Sequence, residues 1–138
     1  MISNKKSILF VPFTYSMGGG AERMLHQLVN ELKKSYKISI IEKTSSIYKF
    51  EPDPDVNILK PLSNLDIINE NRKLVIRLHR LFIRRLISLA MYICPRIIHR
   101  KYITNSNYDF EISFNYLYVS YLVANSTNRT SKKIMWIH

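Results

Sequence analysis

The chain has 138 residues, 46% hydrophobic and 22% charged, with a formal net charge of +11 and a pI of about 9.9. That length and composition suit one globular domain with a buried core, and the basic excess points to a partner with acidic or phosphate-bearing groups. Cys94 is the only cysteine, which excludes an intrachain disulfide and agrees with a reducing compartment.

The first element is the apolar run Ser7–Pro12, which reads as a strand covered on both faces. Lys5 and Lys6 precede it, but Pro12, Thr14 and Ser16 interrupt it too early for a secretory h-region. All three glycines follow, Gly18, Gly19 and Gly20, just before a helical run from Ala21 to Ser35. A strand, a glycine turn and a helix bring backbone N–H groups to a helix N-terminus, where an anion can be met. Glycine there permits positive φ and the close approach of a ligand. A tight turn with no ligand is the plainer reading of the same residues.

Leu25, Leu28, Val29 and Leu32 form one apolar stripe on this helix. Glu22 lies in its first turn and Lys33 and Lys34 in its last, as the helix dipole favours. His26 falls off the stripe and reads as solvated. Lys37–Glu42 is the second strand, which completes a βαβ unit. Glu42 reads as an ordinary strand-end residue, because the glycines form neither the G-x-G-x-x-G nor the phosphate-loop pattern. Residues 44–55 carry loop signals, and residues 56–59 form a short third strand stopped by Pro61. Residues 62–71 take no clear assignment.

From Arg72 to Lys101 come nine basic residues and no acidic ones. Lys73, Arg77, Arg80 and Arg84 recur at helical spacing, with Arg85 beside them. Leu74, Leu78, Leu81, Phe82, Leu86 and Leu89 run along the neighbouring face. This is a cationic amphipathic helix, ended or kinked by Pro95. Its uncharged run, Leu86–Cys94, is well short of the ~20 residues that span a bilayer. Such a helix can lie on an anionic membrane surface. It can equally pack by its apolar face with solvated arginines outside. His79 and His99 read as solvated.

Phe110–Phe114 is the fourth strand, residues 116–125 a helix and residues 133–137 the fifth strand. The order β-α-β-β-α-β-α-β predicts a single Rossmann-like, doubly wound α/β domain over residues 1–138, with a mostly parallel sheet. The sequons at Asn125 and Asn128 read as coincidence. Four scattered histidines and one cysteine make no zinc site, and no serine lies in a G-x-S-x-G turn. No metal or cofactor is expected.

The strand, Gly19-Gly20-Ala21-Glu22-Arg23 and the helix opening Met24-Leu25 resemble the start of family-four glycosyltransferases, retaining sugar transferases of the GT-B fold. Tyr108–Phe114 and Lys132–His138 are similar to two later strands of that family's N-terminal domain. The resemblance covers both ends of the chain and not its middle. It implies an acceptor-binding N-terminal domain of an enzyme moving sugar from a nucleotide-sugar donor to a glycan or lipid-linked acceptor, as in surface polysaccharide synthesis. Gly18, Gly19 and Gly20 would lie near the donor diphosphate and the acceptor, and His138 would line the reaction centre. As a terminal residue, His138 can equally lack a fixed environment.

Members of the family carry a second, donor-binding domain, and nothing in this sequence matches it. The chain is therefore expected to be inactive alone and to need a second chain for the donor half, whether it is a fragment or half of a split transferase. The resemblance also implies a cytoplasmic site, peripheral on the inner face of the membrane, held by Lys73, Arg77, Arg80, Arg84 and Arg85. The competing reading is a non-catalytic basic module or regulatory subunit. Nucleic acid is a poorer partner, because the charge concentrates on one leucine-rich helix without a nucleic-acid motif.

Overall fold

The computed structural model describes residues 5–15, 19–42, 53–59, 74–103, 107–114 and 118–136. Its elements in chain order are β1 (Ser7–Pro12), α1 (Gly20–Leu32), β2 (Lys37–Ile40), β3 (Val56–Ile58), α2 (Leu74–Ile93), α3 (Pro95–Tyr102), β4 (Phe110–Phe114), α4 (Tyr118–Ala124) and β5 (Lys132–Trp136). The strands form one sheet in the order β3-β2-β1-β4-β5, and every adjacent pair is parallel. The α/β expectation holds, and "mostly parallel" becomes all-parallel among the described strands.

β1 is central and apolar because both its faces are covered. Ile8 and Phe10 pack with Ile38, Ile40, Ile112 and Phe114 beneath Leu25 and Val29 of α1. Leu9 and Val11 face the opposite layer, with Val119, Leu122 and Val123 of α4 and Ile103 just after α3. The α1 stripe behaves as its spacing predicts: Leu25 and Val29 are fully buried, with Leu28 and Leu32 packed partly beside them. Each fully buried side chain of this kind contributes roughly 1.5–3 kcal/mol.

Several boundaries differ from expectation. α1 stops at Leu32 rather than Ser35, where Ser35 and Tyr36 both donate backbone bonds to the Leu32 carbonyl. β2 ends at Ile40, although Ile41 and Glu42 beyond it stay buried. Pro95 does not merely end α2; it opens a separate helix, α3, at the first position, with Cys94 as N-cap. Proline suits that position, since its absent N–H would have no intrahelical partner.

Candidate functional site at the carboxyl edge of the sheet

Ligands of open parallel sheets bind where the strands end, above their carboxyl edge. Here β1 ends at Pro12 and α1 begins at Gly20, so Gly19 and Gly20 lie on that edge. Gly19 is the N-cap of α1, with φ −75° and ψ 179°, an extended conformation open to any residue. The positive-φ reason for glycine therefore fails at this position. The Glu22 carboxylate turns back to where a Cβ on Gly19 would point, but it is the far end of a flexible side chain that can shift aside. At Gly20 a Cβ would meet nothing within 4 Å, so backbone is bare and open there. The first-turn N–H groups have no carbonyl within the helix to bind, and no side chain caps them from Gly19.

Around this turn the structure gathers groups that pattern reading kept apart. The buried Thr14 hydroxyl donates to Glu22 Oε1 at 2.6 Å. The Tyr15 N–H donates to Glu42 Oε2 at 2.9 Å. Glu42 is thus no ordinary strand-end residue; it is buried and ties the β1 loop to the end of β2. The Tyr15 ring stacks on His26, with centroids 4.4 Å apart, and its hydroxyl meets His26 Nδ1 at 3.4 Å. His26 is half-buried against Tyr15 rather than solvated. At the far end of α1, on the amino edge of the sheet, Lys33 pairs with Asp53, which leads into β3.

The electrostatics follow from this packing. Burial pushes the Tyr15 hydroxyl up to about 12, and the Asp53 and Glu42 charges add to the shift. Burial lowers His26, against an opposing pull from Asp53. Lys33 and the Asp55 N–H hold the Asp53 carboxyl below its usual range. Two carboxylates, Glu22 and Glu42, therefore lie about the loops at this edge of an otherwise basic chain. Carboxylates accept hydrogen bonds from hydroxyls, and they repel phosphate.

Gly18 and His138 lie outside the described residues. β5 reaches Trp136, and its carboxyl end is separated from β1 by β4. Lys73 also lies outside them. Arg77, Arg80 and Arg84 are on α2, but their side chains are outside the description. Arg85 is described and exposed, as are His79, Arg96, Arg100 and Lys101. The apolar face of α2 is open as well: Leu81, Phe82, Leu86 and Leu89 are exposed, joined by Tyr92, Ile93 and Ile97. Phe82 is 63% and Ile93 68% exposed. No described helix is long and apolar enough to cross a membrane.

His99 departs furthest from its expected solvated position. It is 1% exposed on α3, and its Nε2 lies 3.5 Å from Oε2 of Glu111, which is fully buried on β4. Its Nδ1 meets the Thr127 hydroxyl at 3.1 Å. Burial raises the Glu111 carboxyl, but the polar groups of His99, Ser126 and Asn128 outweigh burial and hold it below its ordinary value. Thr127 lies in the loop entering β5, so this cluster is at the amino edge, opposite the glycine turn. The sequence did carry a signal: Pro95, His99 and Ile103, spaced by four, are the buried positions along α3 and its cap. Asn128 is also engaged, its amide donating to the Tyr108 carbonyl at 2.9 Å.

Among the described residues, no cluster of His, Cys, Asp or Glu could hold a metal ion. Neither a scan against protein-family models nor a search of the curated proteins finds a match to this chain.

Proposed function

We propose that this chain is the acceptor-side domain of a GT-B glycosyltransferase, binding a hydroxyl-rich glycan or lipid-linked acceptor at the carboxyl edge of β1. One observation carries the reading. Bare backbone at Gly20 opens α1 at the edge where ligands of such sheets bind, beside carboxylates suited to hydroxyls. The local charge favours the acceptor over the donor diphosphate, because Glu22 already lies against the helix N-terminus. Transfer needs a donor-binding half from a second domain or chain, since half a cleft cannot exclude water around the reacting atoms.

The test is calorimetric titration with a panel of uncharged oligosaccharides, with uridine diphosphate as the phosphate probe. A saccharide should bind, and Gly20→Val should weaken it at least ~10-fold, about 1.4 kcal/mol, without unfolding the chain. Saccharide binding indifferent to Gly20→Val, or no saccharide binding at all, defeats the proposal.

A second reading concerns where the domain rests. Exposed Phe82, Leu86, Leu89, Ile93 and Ile97 beside exposed Arg85, Arg96, Arg100 and Lys101 support docking on an anionic membrane surface. Flotation with phosphatidylcholine vesicles, with and without phosphatidylglycerol, tests it. Binding only to the anionic vesicles, lost at high salt, is expected. Equal binding to duplex nucleic acid without vesicle binding would favour the nucleic-acid alternative.

A further inference from the structure

Among the described strands β5 stands at one end of the sheet order, and all five of its residues, Lys132–Trp136, are exposed. Edge strands are normally blunted by charge, proline or a bulge. Lys132 and Lys133 do this for the first half only; Ile134, Met135 and Trp136 present an unguarded apolar edge. Ile134 and Trp136 share a face with Ile112 and Phe114 by register, and they remain 40% and 38% exposed.

We propose that β5 pairs antiparallel with β5 of a second copy, about a two-fold axis at Ile134, to make one continuous sheet. The Lys132 N–H donates to the Asp109 carbonyl at 2.9 Å, toward β4. Strand alternation then turns the backbone groups of Lys132, Ile134 and Trp136 toward β4 and those of Lys133 and Met135 outward. A two-fold axis normal to the sheet preserves faces, so it must centre on a residue. Centring on Lys133 sets that lysine against its own copy. Centring on Met135 leaves Lys132 and Lys133 beyond the partner's β5. Centring on Ile134 pairs all five positions.

In that register the outward groups of Lys133 and Met135 bind each other across the axis. Lys132 faces Trp136 of the other copy, placing an ammonium against an indole. Lys133 Nζ already donates to the Asn128 carbonyl of its own chain at 3.0 Å, which holds its charge away from the partner. The strand is therefore self-complementary in charge as well as in hydrogen bonding, which is what selects a second copy as occupant. The contact is isologous and closes at two chains. Because each chain carries a net +11, repulsion opposes pairing and salt relieves it. Salt should thus strengthen the dimer, the reverse of its effect on vesicle binding.

Sedimentation equilibrium of the full chain across salt concentrations tests this. A dimer that tightens with sodium chloride is expected, with Met135→Pro raising its dissociation constant at least ~10-fold at unchanged circular dichroism. Proline at 135 removes an outward donor and leaves the β4 pairing intact. As an independent measurement, Ile134→Cys in a Cys94→Ser background should oxidise to a disulfide dimer, since facing non-hydrogen-bonded residues bring Cα atoms within disulfide reach. Lys132→Cys and Trp136→Cys should cross-link when mixed and not alone. A wild-type chain monomeric at every salt concentration overturns the proposal. So do assemblies larger than two, or Lys132→Cys cross-linking alone as fast as Ile134→Cys.

Discussion

Replacing Glu111 with leucine is expected to be among the most damaging single changes in this chain. Glu111 is fully buried, and the His99 imidazole 3.5 Å away is 1% exposed, so neither group can turn to water when the other is removed. Removing one partner of a buried pair costs about 3–5 kcal/mol. A chain of this length has roughly 7–20 kcal/mol of total stability, so the variant should fold with its melting temperature lowered by roughly 10–15 °C. His99→Leu should cost less, since a depressed carboxyl can take up a proton once its partner is gone. The double substitution to leucine removes both desolvated groups and should cost much less than the two singles combined. The pH dependence has a fixed sign. The Glu111 carboxyl is depressed from its ordinary 4.5, so its contribution is complete above that value and is lost as pH falls through the folded value. The gap between wild type and Glu111→Leu should therefore narrow in acid. Urea unfolding followed by far-UV circular dichroism at neutral and acid pH measures each of these terms. A Glu111→Leu cost under about 1 kcal/mol, or a double variant costing the full sum of the singles, would refute the reasoning.

Three further outcomes are expected. Leu25→Ala should destabilise by about 2–5 kcal/mol in the same unfolding assay, because Leu25 is fully buried between α1 and the sheet. Tyr15 should ionise near 12, so an ultraviolet phenolate titration of Tyr15→Phe should lack a step near 12 seen in the wild type; stability owed to the neutral Tyr15 is complete below its ordinary 10.0 and lost as pH rises toward 12. Arg96→Ala combined with Arg100→Ala should weaken binding to anionic vesicles by about 2 kcal/mol, roughly 30-fold, in a flotation titration, and should leave neutral vesicles unaffected.

The sheet was legible because its signals are local. The run at β1 is apolar on both faces, and Leu25, Leu28, Val29 and Leu32 mark one side of α1, so strand, turn and helix could be placed from spacing alone. The polar contacts were not legible because they join residues distant in the chain. Nothing near Glu42 announces that it will accept the Tyr15 N–H, and nothing near Glu111 announces His99. His99 sits among Arg96, Arg100 and Lys101, and their charge hides a buried stripe spaced by four. Three consecutive glycines suggest conformational freedom. At Gly19 the backbone is ordinary, and the approach of the Glu22 carboxylate is a contact made only once the helix is in place.

The central claim is that ligand enters at the glycine turn above β1. Amide chemical-shift mapping of the isotope-labelled chain, titrated with the oligosaccharide that binds in calorimetry, tests it most directly. The account predicts that the largest changes fall on Thr14, Tyr15, Gly19, Gly20, Glu22 and Glu42. Changes centred on His99 and Thr127 at the amino edge, or along α2 and α3 alone, would contradict it.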